Sequence, residues 1–342
     1  MYSVESNPSE EDSVDSTISK IINKALDGNL LERAEIIALL SVEHLSGEAF
    51  AIQQAGRVFT SQLCNGEAEI HAHIGLDAGA CPSDCKFCSF AASNRIFKGH
   101  QEHPVEKIVQ EALDLEAAGA NALYLVTTTR YDKEKFLEVA EQVIASLKSG
   151  VPLVANIPDF DEDYAKELAR TGIKGCYHVV RLGEGVYTRC NVEDRLRTMR
   201  AAKDAGLVLG NCIDPIGPEH SPEELADLIL MAREFEVGFS GAMRRNTVAG
   251  TAFEKHGNIP YGRLAIYAGA CALATGPGIK GNCTHEPNTL CAQAGANIMW
   301  ASRGTDPRDT NMDTARGLSV DQVREMYFDT SWKVHKGPSI FY

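Results

Sequence analysis

The stretch Cys81-Pro82-Ser83-Asp84-Cys85-Lys86-Phe87-Cys88 puts three thiols close together at the spacing C-x3-C-x2-C. Thiolate is a soft donor, suited to iron–sulfur iron and to zinc. A closed cluster of four irons normally takes four Cys, so three thiolates leave one iron open to another ligand. Two plainer readings stand beside this one: a zinc knuckle lacking its fourth ligand, and coincidence in a chain with ten Cys. Cys64, Cys176, Cys190, Cys212, Cys271, Cys283 and Cys291 are scattered. Each reads as an inert buried thiol, because free Cys packs like a small hydrophobe. Cys283 and Cys291 with His285 between them match no recognised ligand spacing.

A ligand loop needs a scaffold. Ala68 to Leu76 alternates as a strand does, and the loop then leads through Arg95 to Gly99 into an amphipathic helical pattern. Downstream, β-rich runs alternate with helix-period segments, the sequence sign of a parallel sheet. Strands are expected over 68–76, 121–127, 152–157, 174–180, 207–213, 238–244, 277–281 and 297–301. The helices expected between them span 104–118, 132–148, 161–171, 192–205, 221–235, 260–274 and 287–294. Eight such pairs imply an α/β chain whose residues 67–301 form a complete (β/α)8 barrel of TIM type. Residues 16–66 read as an N-terminal helical extension. Residues 302–342 read as a C-terminal tail that packs on the outer helices or closes the barrel. Residues 1–15, acidic and polar, read as disordered.

Reacting groups in such barrels sit at the carboxyl ends of the strands. Those ends offer Thr127-Thr128-Thr129-Arg130, Asn156, His178 through Glu184, Asn211, Asp214, Arg244-Arg245-Asn246, Asn282 and His285. Any one of these alone could cap a helix or sit in water. Arg244 and Arg245 point to an anionic substrate such as a carboxylate, and Arg245 serves equally well as a balance to the acidic surface.

Composition narrows the class. With 342 residues, 44% of them hydrophobic, the chain can bury a large core. A net charge of −14 and a pI near 5.2 argue against nucleic acid or an anionic membrane as partner. No apolar run reaches the ~18 residues that suggest a membrane span, and the acidic start does not resemble a secretory signal. A cytoplasmic protein with reduced thiols is expected.

The cysteine loop resembles that of the radical S-adenosylmethionine (SAM) superfamily. Ala78-Gly79-Ala80-Cys81-Pro82-Ser83-Asp84-Cys85-Lys86-Phe87-Cys88 is similar to the biotin synthase signature T-G-A-C-P-E-D-C-K-Y-C. Gly250-Thr251 resembles that family's K-G-T-P segment, and Gln293-Ala294-Gly295-Ala296-Asn297 its M-A-G-A-N. The biotin synthase-like subgroup also includes the [FeFe]-hydrogenase maturase HydE, methylornithine synthase and HmdB. The resemblance implies a radical SAM barrel with a [4Fe-4S] cluster on Cys81, Cys85 and Cys88. It also implies SAM on the open iron, cleaved reductively to methionine and a 5′-deoxyadenosyl radical. Phe87 would lie against the adenine, with Thr127 and Thr128 at the methionyl amine. His178-Val179-Val180-Arg181-Leu182-Gly183-Glu184 is similar to the H-L-L-R-x-E run of the hydrogenase-maturation member, at R-x-x-E spacing. That assigns Arg181 and Glu184 to SAM, in keeping with guanidinium–carboxylate chemistry. His178, Asp214, Arg244 and Asn246 are then left for the substrate end. The implied partners are a small-molecule substrate and an electron donor such as flavodoxin or ferredoxin.

The departures are informative. Biotin synthase holds a second, two-iron cluster on three strand cysteines and an arginine, and that cluster supplies sulfur. Leu125, Val154 and Leu209 align where those cysteines would be. Cys176 and Cys212 lie on expected strands and leave a rearranged second cluster open. Three readings result. The first is a radical SAM enzyme of cofactor or metabolite biosynthesis. The second is a biotin synthase inserting sulfur into dethiobiotin, and the third a non-catalytic cluster or zinc protein.

Overall fold

The computed structural model describes residues 16–342; the expectation of disorder for 1–15 lies outside the described residues. Eight parallel strands close on themselves: β1 (Glu67–Gly75), β2 (Ala122–Val126), β3 (Leu153–Asn156), β4 (Gly175–Tyr177), β5 (Val208–Gly210), β6 (Phe239–Arg244), β7 (Gly281–Thr284) and β8 (Ile298–Gly304). Each pairs with its sequence neighbour, and β8 returns to β1 with His71 opposite Trp300. This is the (β/α)8 barrel the alternation implied. The seventh strand begins at Gly281, where 277–281 was expected, because Pro277 and Gly278 form a turn. A short strand, Ile213–Ile216, extends the end of β5 and pairs with β6.

Strand periodicity sorts side chains into two cores. On β1, Ala68, Ile70, Ala72 and Ile74 face the helices, while Glu69, His71 and His73 take the alternate positions. The barrel interior holds Ala122, Tyr124, Val154, Tyr177, Val179, Cys212, Phe239, Cys283, Ile298 and Trp300. Leu125 packs in the outer core and Leu209 among the residues beneath the neighbouring helices, so of the three aligned positions only Val154 faces inward. Cys176 likewise faces out, and Cys212 faces in.

Ahead of the barrel, α1 (Ser16–Leu26), α2 (Arg33–Leu40) and α3 (Gly47–Leu63) share one apolar core with α8 (Pro222–Glu234) and α9 (Tyr261–Thr275). α3 meets α9 backbone to backbone: a Cβ on Gly56 would lie 2.6 Å from the Gly269 Cα. The remaining barrel helices are α4 (Val105–Ala118), α5 (Lys133–Ser146), α6 (Glu162–Thr171), α7 (Val192–Asp204) and α10 (Thr289–Gln293). Among the described residues no helix is long and apolar enough to cross a membrane.

The segment beyond β8 divides into three parts. Thr305 to Arg316 lies over the carboxyl ends of the strands, tied by the Thr305 hydroxyl to the Asp77 carbonyl (2.7 Å) and by Asp309, which accepts from the Thr310, Ala315 and Arg316 amides. α11 (Val320–Asp329) then packs outside, with Val320, Val323 and Tyr327 in the outer core. The chain finally passes under the barrel, where Phe341 and Tyr342 join the interior cluster.

Candidate active site

The cysteine loop begins where β1 ends. Asp77 and Ala78 pair antiparallel with Gln101 and Glu102, which brackets the loop. Inside it, Ala80 (φ 46°) and Asp84 (φ 50°) adopt left-handed backbone, a conformation side chains resist. Local bonds hold the turns. The Cys81 amide donates to the Phe90 carbonyl (2.8 Å), the Cys88 amide to the Cys85 carbonyl (2.9 Å), and the Phe90 amide to the Cys88 Sγ (3.3 Å). The Lys86 amide reaches the Tyr187 carbonyl and the Arg189 amide the Ser83 carbonyl, clamping the loop to the one that follows β4.

Cys81, Cys85, Cys88 and Phe87 all face a cavity of about 210 Å³ at the carboxyl end of the barrel. Burial pushes the Cys88 thiol up to about 12, and the neighbouring Cys81 adds to the effect. A lone thiolate is therefore disfavoured there, and a cationic iron cluster would supply the compensation. Among the described residues no three His, Cys, Asp or Glu side chains converge as a ready-made single-ion site. Three thiols around one mouth, with Cys190 behind Cys85, are soft donors of the kind that suits a multi-iron cluster.

Thr127 and Thr128 line the cavity at the end of β2. The Thr128 hydroxyl and amide both donate to Asp77, which also meets His100 Nε2 at 2.7 Å. Thr128 is thus already engaged, and Thr127 is the freer of the two. Arg181 lines the wall. Burial acts to lower its pKa, but Asp214 and Glu184 more than offset this, so it stays charged. Glu184 is buried behind it. It accepts from the Arg181 amide (3.0 Å) and the Thr188 hydroxyl (2.6 Å) and is absent from the cavity wall.

His178, Asp214 and Asn246 line the cavity, whereas Arg244 stands apart. The Arg244 guanidinium lies 3.5 Å over the Tyr261 ring and donates to the Ile259 carbonyl (3.0 Å). Strand parity decides this, because Arg245, one residue on, turns into the cavity and pairs with Glu219. His178 Nε2 lies 2.9 Å from Asp159 Oδ1 and 3.0 Å from Arg195 Nη1. Burial lowers its pKa to about 4, so the ring is neutral. Asp214 is raised to about 6 by burial, with Arg181 pulling the other way, and its Oδ1 has no hydrogen-bond partner. Asn246 bonds Glu286, where Arg308, Arg316 and the Tyr261 hydroxyl also meet.

Sequence reasoning missed several wall residues. His73, Tyr124, Tyr177, Arg195 and Trp300 all face the cavity, and Arg308 joins them from the C-terminal tail, which was expected to pack on the outer helices or close the barrel. Arg308 pairs with Asp306 through both oxygens (2.9 and 2.7 Å). The visible signal was a charge-dense run, Asp306-Pro307-Arg308-Asp309, directly after the last strand. Cys190, set among the inert thiols, sits against Cys85 with Arg195 Nη2 donating to its sulfur (3.4 Å).

Residues 77–232 match the radical SAM superfamily. The chain is 26% identical over 238 residues to the biotin synthase of Aquifex aeolicus, covering 66% of this chain and 70% of that one. It is 26% identical over 266 residues to the biotin synthase of Anaplasma marginale, covering 73% and 81%. Among solved structures it resembles the FeFe-hydrogenase maturase HydG of Carboxydothermus hydrogenoformans (TM-score 0.76, 17% identity, 93% of this chain and 79% of that). It also resembles methylornithine synthase (TM-score 0.76, 16% identity, 94% and 98%). At such identities the structural likeness is one of fold.

Proposed function

Because the chain belongs to the radical SAM superfamily as a biotin synthase-like enzyme with a [4Fe-4S] cluster and SAM as cofactors, we propose that it abstracts hydrogen from a small anionic substrate in cofactor or metabolite biosynthesis, in the manner of HydE, HmdB or methylornithine synthase. Cys81, Cys85 and Cys88 hold the cluster, and cluster and SAM together supply a 5′-deoxyadenosyl radical. The protein's share is positioning and exclusion of side reactions. Phe87 offers a face to the adenine, Thr127 an acceptor to the methionyl amine, and Arg181 a fork to its carboxylate, with Glu184 3.7 Å from that guanidinium and the charge of Asp214 helping to keep it ionised. Neutral His178 and Asn246 line the substrate end.

One observation carries the anionic reading. The cavity wall presents four guanidinium groups, those of Arg181, Arg195, Arg245 and Arg308, whose carboxylate partners Glu184, Asp159, Glu219 and Asp306 stand outside the lining, so N–H donors rather than acceptors face the cavity. The electron comes from a small carrier such as flavodoxin or ferredoxin, in the cytoplasm. Anaerobic reconstitution with iron and sulfide, followed by SAM and dithionite, tests this reading. Release of 5′-deoxyadenosine supports it; a reduced cluster inert to SAM, or zinc in its place, sinks it.

The relatives named biotin synthase favour a second reading, sulfur insertion into dethiobiotin. It requires a second cluster inside the barrel, where Cys212 and Cys283 are the cysteines of the interior core. A two-iron signal beyond about four irons per chain would select it.

A further inference from the structure

Tyr177 on β4, His285 just past β7 and Trp300 on β8 form one aromatic group at the cavity floor, with ring centroids 4.6 Å (Tyr177–His285) and 3.8 Å (His285–Trp300) apart. Tyr177 is 3% exposed and Trp300 1%. The Tyr177 hydroxyl, His285 Nε2 and Trp300 Nε1 are all buried without a hydrogen-bond partner. Buried polar atoms are seldom left unpaired, and each costs about 1–3 kcal/mol when it is. Three such atoms on side chains that line one cavity mark a place where a small shift of the rings on ligand binding would supply the partners.

Resting on the reading above, we propose that this floor is the substrate's carboxylate subsite. An indole N–H can only donate, so the ligand atom facing Trp300 is an acceptor. Burial, together with the charge of Arg308, holds His285 well below its ordinary pKa, so the floor itself brings no charge. Beside it, Arg308 Nη1 donates to the His285 carbonyl at 2.8 Å, with its charge balanced by Asp306 and Glu286. A phosphate dianion fits less well, because every guanidinium on the wall already has a carboxylate. Arg181 faces Glu184, Arg195 faces Asp159, Arg245 faces Glu219, and Arg308 faces Asp306. A singly charged, planar carboxylate needs donors more than it needs a free cation, and donors are what the floor offers. An ammonium would meet the indole N–H head on.

The test is anaerobic titration calorimetry on the reconstituted, oxidised holoenzyme with SAM bound. The probes are succinate and glutarate against the diamines of matching length, 1,4-diaminobutane and 1,5-diaminopentane. At least one dicarboxylate should bind saturably and neither diamine should. Trp300→Phe and Tyr177→Phe, which keep a ring and remove one donor each, should weaken that binding by about five- to tenfold. Absence of saturable dicarboxylate binding, equal binding of a diamine, or unchanged affinity in both variants overturns the assignment. Formation of 5′-deoxyadenosine by the same preparation, once reduced, is scored separately. If it forms while the floor variants bind like wild type, only the subsite falls. If it never forms in wild type, the parent reading falls instead.

Discussion

The hydroxyls of Tyr124 and Tyr342 lie 2.7 Å apart beneath the cavity, and the Tyr124 oxygen also meets His71 Nδ1 at 2.7 Å. His71 Nε2 continues the chain to Glu69 (2.8 Å), whose other oxygen accepts from the Ile340 amide (2.7 Å). The segment after β8 therefore reaches under the barrel and completes a buried polar network that its own strands start. Gly175 leaves the room that the Tyr342 ring occupies. With the amino-terminal mouth filled, small molecules reach the interior from the carboxyl end, past the cysteine loop.

Tyr342→Phe removes one hydroxyl from that network and is expected to cost about 1 kcal/mol. Tyr342→Ala also empties the ring site and is expected to cost about 3–5 kcal/mol. Urea denaturation of the two variants checks both. A phenylalanine variant as unstable as the alanine one would show that the hydroxyl, rather than the packing, holds the plug.

Asp214 and His178 should oppose each other in pH dependence. The Asp214 pKa is raised from 3.8 to about 6, so the folded state keeps that proton longer and loses stability as pH climbs through this window. His178 is lowered from 6.5 to about 4, so the folded state is penalised as pH falls through its own window. Between about pH 4 and 6 the two slopes largely cancel in wild type. In Asp214→Asn only the histidine slope remains. The variant should match wild type near pH 4 and gain up to ~3 kcal/mol on it by pH 7. Denaturation curves across that range decide the matter; a constant offset contradicts it.

The barrel was legible because each strand and helix carries its own period. Seven of the expected strands fall on observed ones, and the seventh slid only because Pro277-Gly278 reads equally as a strand start or a turn. What stayed hidden was parity and long-range placement. Leu125 and Leu209 were aligned to inward cysteines, yet one residue of strand phase turns each toward the helices. The same one-residue step separates Arg244, stacked on Tyr261, from Arg245 in the cavity. Arg308 and Tyr342 reach the barrel along a path fixed by tertiary contacts, which local sequence does not encode.

Arg308 fastens the covering segment to the barrel. Its guanidinium is held by Asp306 and Glu286, and burial of Asp306, which alone would raise that carboxyl, is outweighed by Arg308, leaving it well below the usual range. Arg308→Gln would strand the buried Asp306 carboxylate, while Glu286 keeps Arg316, Asn246 and the Tyr261 hydroxyl, a change expected to cost about 3–5 kcal/mol at neutral pH. A depressed carboxyl stabilises above its unfolded pKa and loses that contribution as pH falls. The gap between variant and wild type should therefore shrink in acid. Stability curves that stay parallel as pH falls below about 3.8, where the wild-type contribution is lost, would show that Asp306 finds another cation.

Cys190 is the sharpest check on which thiols hold the cluster. It sits against Cys85 and beside Arg195, yet it is absent from the cavity wall that Cys81, Cys85 and Cys88 share. A ligand must reach the iron; a neighbour only shapes the field around it. Cys85→Ala is expected to lose the reconstituted iron and all 5′-deoxyadenosine. Cys190→Ser should keep about four irons per chain and still release the nucleoside, because serine preserves size and polarity beside Cys85. Iron and sulfide analysis of both variants, with far-UV circular dichroism to show that each is folded, settles the ligand set. Iron lost from the serine variant and retained in the alanine one would exchange the two roles and move the cluster away from the cavity.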